Sequence, residues 1–205
     1  MNRKLMSRRG MAAVVAALAA GVLAACGGSE PQTSGGATDG SSAATATDRA
    51  FVRDMTPHHE SAVRMAEMAR KRAEHQEIKT LADNIATSQQ AEIKEMADLA
   101  ESMGGKAGGA SPMGMSRGDM KMMETRMMET RQPFDRMFID AMIPHHQDAI
   151  RMARAELQKG KDPKVRDLAE RVIAAQSKEI EDMNEWRTDW YGKPSPAGGI
   201  PDASS

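Results

Sequence analysis

Residues 51–66 read FVRDMTPHHESAVRMA, and residues 138–153 read FIDAMIPHHQDAIRMA. The chain thus contains the phrase Phe-x3-Met-x-Pro-His-His-x2-Ala-x2-Met-Ala twice, at an offset of 87 residues from His58 to His145. Matching residues continue at the same offset, without a gap, as far as positions 96 and 183. A repeating unit of about 46 residues, enough for two helices, therefore spans 51–96 and 138–183.

The apolar residues of each phrase follow the period of a helix. In the first phrase, Phe51, Met55, His58, Ala62 and Met65 are spaced by 4, 3, 4 and 3 residues, which marks one helix face. Because this face continues through the proline of each phrase, we predict one kinked helix in each repeat. In an alternative interpretation, the proline occupies the first helical turn, with Thr56 as the N-cap of the first helix.

Periodicity and stop signals together predict four long helices. They cover about residues 48–72, 77–103, 133–159 and 163–191, with glycines after the last three. No stretch alternates with the period of a strand, so the predicted fold class is all-α. We expect one domain over residues 48–192, a four-helix bundle made of two repeated helical hairpins.

A methionine-rich insert, residues 103–132, connects the two hairpins. Its first half is rich in glycine, and its second half, from Asp119 to Arg131, is compatible with a helix. Its methionines lie among Gly, Ser, Asp and Lys, so we expect them to lack apolar partners. They are interpreted either as a soft-metal capture arm, with Met120, Met123 and Met127 as accessory ligands, or as a simple connector.

The N-terminus is typical of a bacterial lipoprotein. Residues 1–25 combine basic residues with a short apolar run, and they end in Leu-Ala-Ala before Cys26. This pattern predicts a signal peptide followed by lipidation at Cys26; the alternative is an ordinary secretory signal. We predict a flexible tether over residues 26–47 and a disordered tail over residues 193–205. The expected location is the cell envelope, lipid-anchored on the extracytoplasmic side of a bacterial membrane.

Charge and cysteine content exclude several classes of function. Removal of the signal peptide takes away four basic residues and changes the net charge from −1 to about −5. No long basic run remains, which argues against nucleic acid as a partner. Because Cys26 is the only cysteine, the chain has no internal disulfide and no free thiolate ligand. Any metal must be held by histidine, methionine or oxygen ligands.

Four of the five histidines lie in the two Pro-His-His steps. Met55 precedes the first pair by three and four residues, so its thioether can reach both imidazoles. This ligand set suits copper, as Cu(I) or Cu(II), at one shared site or two separate sites. Glu60 and Asp148 are nearby but are not at equivalent repeat positions, so we do not predict them as ligands. The predicted metal ligands are Met55, His58, His59, Met65, Met142, His145, His146 and Met152.

The doubled phrase resembles the domain of unknown function 305 family over residues 48–191. That resemblance implies a ferritin-like helical bundle in the bacterial envelope, and it implies copper binding or tolerance for some members. It says nothing about the methionine-rich insert. Together these points predict an envelope lipoprotein that buffers copper or passes it to a copper-handling partner.

Two other functions remain open at this stage. One is a structural or partner-binding bundle in which the histidines only pack. The other is a ferritin-like di-iron oxidase, whose ligands come from Glu-x2-His steps. No histidine of this chain has a glutamate three residues before it, which disfavours the oxidase. The sequence also lacks a P-loop, so phosphoryl chemistry has no support and we do not predict an enzyme.

Overall fold

The computed structural model describes residues 44–105, 116–129 and 133–202, and every regular element in these ranges is an α-helix. The helices are α1 Ala46–Arg72, α2 Gln76–Ser102, α3 Arg117–Glu129, α4 Phe134–Lys159 and α5 Pro163–Tyr191. The all-α prediction is confirmed. None of these five helices has the length and apolar character that crossing a membrane requires. The predicted signal peptide, Cys26 and nearly all of the predicted tether lie outside the described residues.

The four long helices form two hairpins. Helix α1 packs along α2, and α4 packs along α5. The hairpins meet mainly through α1 and α4, whereas α2 and α5 contact each other much less. The bundle of two repeated hairpins is therefore as predicted, and the two helices that carry the Pro-His-His phrases lie side by side.

Both prolines lie inside continuous helices. Pro57 is within α1 and Pro144 is within α4, so the alternative that begins the helix at the proline is wrong. A proline inside a helix removes one backbone hydrogen bond. The hydroxyl of Thr56 does not cap a helix here, because it donates to the Val52 carbonyl oxygen at 2.7 Å. Burial of residues on both sides of each proline holds the helix together.

The ends of the long helices carry the expected signals. Thr45 caps α1 and forms a reciprocal capping box with Asp48. The Asp162 carboxylate accepts hydrogen bonds from the first turn of α5, and Pro163 occupies that turn. Gly192 follows α5 in the left-handed region at a φ of 77°, which favours glycine.

Two equivalent aspartates tie the hairpins to each other. Asp48, at the start of α1, accepts hydrogen bonds at 2.9 Å from the backbone N–H groups of Lys161 and Asp162, in the α4–α5 turn. Asp135, at the start of α4, accepts from the backbone N–H groups of Glu74 and His75, in the α1–α2 turn, at 3.0 and 2.8 Å. The first helix of each hairpin thus holds the turn of the other hairpin.

We expect Asp135→Ala to destabilise the fold by about 2–3 kcal/mol, because it leaves the backbone N–H groups of Glu74 and His75 and the His75 ring without their acceptor. Asp167→Ala is the control, since the Asp167 side chain is 68% exposed and pairs only at the surface with Arg171. Urea unfolding followed by circular dichroism measures both. Equal stabilities of the two variants would contradict the proposed role of Asp135.

The core consists of two apolar clusters along the bundle. One contains Met65, Phe138 and Met142 with the start of α2 and the end of α5. The other contains Phe51, Met55 and Met152 with the end of α2 and the start of α5. Along α1 and α4, the histidine pairs lie between the parts that enter these two clusters.

The segment after α5 differs from the predicted disordered tail. Arg154 donates to the carbonyl oxygens of Pro201 and Asp202 at 2.7 and 2.6 Å, and Gln147 donates to that of Gly199 at 2.6 Å. Side chains of α4 thus hold residues up to 202 in place although the segment is not helical. The prediction of disorder is wrong for residues 193–202, and residues 203–205 lie outside the described ranges.

Candidate metal centre

The inner histidines of the two motifs meet where α1 and α4 pack. The ring centroids of His58 and His145 are 3.7 Å apart, with the planes tilted by 41°. Both residues are almost fully buried, at 2% and 1% exposure. The adjacent histidines of each pair lie farther apart, with ring centroids at 6.5 Å and 6.3 Å. The structure therefore joins the two sequence motifs at one place.

The outer histidines, His59 and His146, are also buried, and each contacts a carboxylate of its own hairpin. His59 Nε2 lies 2.8 Å from Glu92 Oε2 on α2. His146 Nε2 lies 2.6 Å from Glu179 Oε2 on α5. The two glutamates occupy equivalent repeat positions. Glu92 and Glu179 were not predicted as part of the site, although their shared 87-residue offset is a signal present in the sequence.

Most imidazole nitrogens of this cluster have no hydrogen-bond partner. Both ring nitrogens of His58 and of His145, and the Nδ1 atoms of His59 and His146, are buried and unpaired. Buried polar atoms are nearly always paired, because an unpaired one costs about 1–3 kcal/mol. Several unpaired lone-pair donors at one place are what a metal-binding cluster presents before the ion is added.

The inner histidines are neutral near neutral pH. Burial lowers the pKa of His58 below its ordinary 6.5, although Asp148 partly opposes this effect. Burial lowers the pKa of His145 well below 6.5, and the nearby imidazoles lower it further. Neutral imidazole is the form that binds metal ions, so both rings are in the ligand state without the loss of a proton.

Asp148, which was not predicted as a ligand, lies beside the inner histidines. It is 7% exposed, and its Oδ2 atom is 3.5 Å from His58 Nε2, which is longer than an ordinary hydrogen bond. Its repeat counterpart is Ser61, whose hydroxyl donates to Glu124 of α3 at 2.9 Å. The surroundings of the inner histidines are therefore not fully symmetric, and a carboxylate is available on one side only.

The four predicted methionine ligands are buried in the apolar clusters next to the histidines. Met55 and Met152 share one cluster, and Met65 and Met142 share the other. Each cluster therefore takes one of these four methionines from each repeat. Met96 and Met183 also lie in the core, each fully buried.

Helix α3 is the helical half of the insert, and it packs on α1 and α4. Met127 is fully buried in the cluster of Met65 and Phe138, and Met120 is 3% exposed. The expectation that these insert methionines lack apolar partners is wrong for Met127, because α3 covers the bundle. An accessory metal role for Met120, Met123 and Met127 remains a prediction, and Met113 and Met115 lie outside the described residues.

Met127→Ala is expected to destabilise the bundle by about 2–4 kcal/mol, as deletion of a buried methionine side chain usually does. The control lies on the same helix: Met122 is 49% exposed, so Met122→Ala is expected to change stability by less than about 0.5 kcal/mol. Thermal unfolding followed at 222 nm separates the two. If both variants have the same melting temperature, Met127 does not stabilise the core through α3.

Histidines and carboxylates alone do not complete a metal site. Within residues 44–105, 116–129 and 133–202, no three His, Cys, Asp or Glu side chains are grouped so as to hold an ion. The local donor set is therefore pairs of imidazoles with thioethers one or two helical turns away. Such donors are borderline to soft, which fits copper better than Mg²⁺, Ca²⁺ or Mn²⁺.

Comparison with known proteins now adds to this geometry. The chain matches the family described as Domain of unknown function (DUF305) over residues 48–187, a range that contains both repeats and most of the chain. The chain belongs to the DUF305 family. A DUF305 fragment from Deinococcus radiodurans has a solved structure with a TM-score of 0.60 and 25% identity, covering 71% of this chain and 98% of that one.

CopM is a more similar solved structure. Its Cu(II)-bound form is 40% identical, with a TM-score of 0.62, and the match covers 70% of this chain and 97% of CopM. Its Cu(I)-bound form has the same identity and TM-score. An uncharacterized protein of Acanthamoeba polyphaga mimivirus is 40% identical over 50 residues, and this match spans 33% of the mimivirus protein.

Proposed function

We propose that this DUF305 protein binds copper at one shared site between α1 and α4. His58 and His145 form its centre, His59 and His146 flank them, and thioethers complete the donor set. The four candidate thioether ligands are Met55, Met65, Met142 and Met152. The single observation that carries this proposal is the buried cluster of unpaired imidazole nitrogens, which lacks a structural explanation in a well-packed core.

Similarity to CopM supports the choice of metal. CopM has been crystallised with Cu(I), with Cu(II) and with silver, and it is about 40% identical to this chain. Cu(I) and Ag(I) are soft ions that share a preference for thioether and imidazole ligands. The donors at the α1–α4 contact are of this kind, so the chemistry of the residues and the likeness point to the same ion.

We further propose that the protein works outside the cytoplasm as a lipoprotein that buffers copper or transfers it to a partner. The support is the Leu-Ala-Ala-Cys sequence that ends at Cys26, with the short apolar run before it. Cys26→Ser is expected to release the protein from the membrane fraction. Membrane retention of this variant would remove lipidation from the proposal but leave copper binding untouched.

Metal titration tests the function itself. Protein beginning at Gly27 is titrated with Cu(I), Cu(II), Zn(II) and Fe(II) against competing chelators, and the loaded samples are analysed for metal content. We expect Cu(I) to bind most tightly and Fe(II) weakly. A folded protein that binds no copper would favour the purely structural bundle. Tight Fe(II) binding with oxygen consumption would favour the di-iron oxidase.

A further inference from the structure

The outer and inner histidines differ in how their rings are held. Each outer ring has one nitrogen against a carboxylate: His59 Nε2 against Glu92, and His146 Nε2 against Glu179. Each inner ring, of His58 or His145, has two buried nitrogens without a hydrogen bond. The outer rings are thus fixed from the side of α2 and α5, and the inner rings are not fixed in this way.

A carboxylate at Nε2 determines which atom of a neutral imidazole can bind a metal. Neutral imidazole carries one proton, on either Nδ1 or Nε2, and only the other nitrogen has a free lone pair. An ionised carboxylate only accepts hydrogen bonds, so it selects the ring form with the proton on Nε2. In this form the lone pair lies on Nδ1. The unpaired, buried atoms of His59 and His146 are their Nδ1 atoms.

We propose that Glu92 and Glu179 are positioning residues, which hold the outer histidines with Nε2–H toward the carboxylate and with Nδ1 as the metal-binding atom. This inference rests on the copper-binding function proposed above. A carboxylate behind a metal-binding histidine fixes the ring orientation and raises the basicity of the ligand atom. The same contact occurs in both repeats with the same separation of 33 residues along the chain, so it is made twice by two different helix pairs.

The position of the glutamates suits this role. Their side chains are 14% and 17% exposed, so they lie between the buried imidazoles and the solvent. A carboxyl group there can keep contact with water through one oxygen while the other accepts a hydrogen bond from the imidazole. On the same helix as Glu92, one turn later, Glu95 is 38% exposed and pairs with Arg171 at 2.7 Å. Glu95 therefore provides a matched control.

Nitrogen-15 NMR of the purified protein with labelled histidine tests the assignment directly. In the metal-free protein, His59 and His146 are expected to show protonated Nε2 and unprotonated Nδ1, with a slowly exchanging Nε2–H proton. Addition of Cu(I), which is diamagnetic, is expected to shift the Nδ1 signals and leave Nε2 protonated. A proton on Nδ1 in the metal-free wild type, or a metal-induced change at Nε2, would overturn the proposal without requiring any variant.

Variants test the contribution to affinity. Glu92→Leu and Glu179→Leu are each expected to weaken Cu(I) binding by about 10–100-fold, the usual effect of removing such a partner, and to abolish the corresponding slow Nε2–H signal. Glu92→Gln keeps an acceptor oxygen and is expected to retain that signal and most of the affinity. Glu95→Gln is expected to change neither. If Glu92→Leu binds Cu(I) like the wild type, the positioning role is wrong, whereas absence of Cu(I) binding by the wild type would contradict the proposed function itself.

Discussion

Replacing either histidine pair with alanine is expected to abolish tight copper binding, not to halve it. The rings of His58 and His145 are 3.7 Å apart, so an ion bound to one lies beside the other. The variants His58→Ala/His59→Ala and His145→Ala/His146→Ala each remove half of one ligand set. We expect each to weaken Cu(I) binding by more than about 100-fold. Removal of a residue that only holds a metal ligand in place already lowers affinity by about 10–100-fold, and these variants remove the ligands themselves.

The remaining histidine provides the control for this experiment. His75 precedes α2, bonds to Asp135 through Nδ1 at 2.6 Å and stacks on Trp190 at 3.7 Å between ring centroids. His75→Ala is expected to leave copper binding unchanged. Competition titration, with folding checked by circular dichroism, measures all three variants. Retention of half the bound copper in each paired variant would indicate two separate sites and contradict the shared one.

Gly160→Ala is expected to destabilise the fold by about 2–4 kcal/mol, although the backbone there suits any residue. The φ of Gly160 is −69°, so conformational freedom is not the reason for a glycine. An added Cβ atom would lie 1.7 Å from Glu156 Oε1 and 2.3 Å from its carboxyl carbon. Glu156 is fully buried, and its carboxyl group would have to leave its place.

The first repeat has small residues in place of this glutamate and glycine. At the positions equivalent to Glu156 and Gly160 it has Ala69 and Ala73, both buried. The double variant Glu156→Ala/Gly160→Ala copies that pair into the second repeat and is expected to be at least as stable as the wild type at neutral pH. Urea unfolding of the wild type, the two single variants and the double variant gives the interaction free energy between residues 156 and 160. If Gly160→Ala alone is as stable as the double variant, Glu156 is not the reason for the glycine.

The buried carboxyl group of Glu156 also makes the stability of the fold depend on pH. Burial, and next the contact and charge of Asp48, raise the pKa of Glu156 from 4.5 to about 8. Between these values the folded state keeps a proton that the unfolded chain releases, so stability falls as pH rises from 4.5 toward 8. The free energy of unfolding changes by about 1.4 kcal/mol for each unit of pKa difference. The total is several kcal/mol if the structure around Glu156 does not rearrange when the carboxyl group ionises.

Asp48 acts in the opposite direction at lower pH. Burial alone would raise its pKa, but hydrogen bonds from Thr45 and from the backbone of Asp162, together with the nearby Glu156 carboxyl, outweigh it and lower the pKa from 3.8 to about 2. Its contribution to stability is therefore present above pH 3.8 and lost toward pH 2. As pH rises from 5 to 8, the unfolding free energy of the wild type is expected to fall relative to that of Glu156→Ala/Gly160→Ala, because both proteins share every other titrating group. Parallel curves would contradict the assignment to Glu156.

The sequence was sufficient to predict the helices and the location of the histidines. Capping residues such as Thr45 and Asp162 fix the helix ends by local hydrogen bonds, so nearby residues carry the signal. The repeat placed both Pro-His-His steps at equivalent points of equivalent helices. A shared apolar face then predicted that the inner histidines point into the bundle, where His58 and His145 are found.

Contacts between distant segments could not be predicted in the same way. The contacts of His59 with Glu92 and of His58 with Asp148 depend on how each helix is rotated against its neighbour, which periodicity leaves open by tens of degrees. Met127 has only other methionines as apolar neighbours along the chain, and it enters the core only because α3 lies on the bundle. The segment after α5 is held by side chains such as Arg154 on another helix, so its composition alone indicated disorder.

The most direct test of the central claim is the position of the bound ion. Crystals of the Cu(I)-loaded protein, measured at the copper absorption edge, locate copper by its anomalous scattering. The account predicts a strong peak between α1 and α4, bonded to imidazole nitrogens of the cluster that contains His58 and His145, with a methionine sulfur in contact. Copper bound only at α3 or at surface carboxylates, with the histidine cluster free of metal, would contradict it.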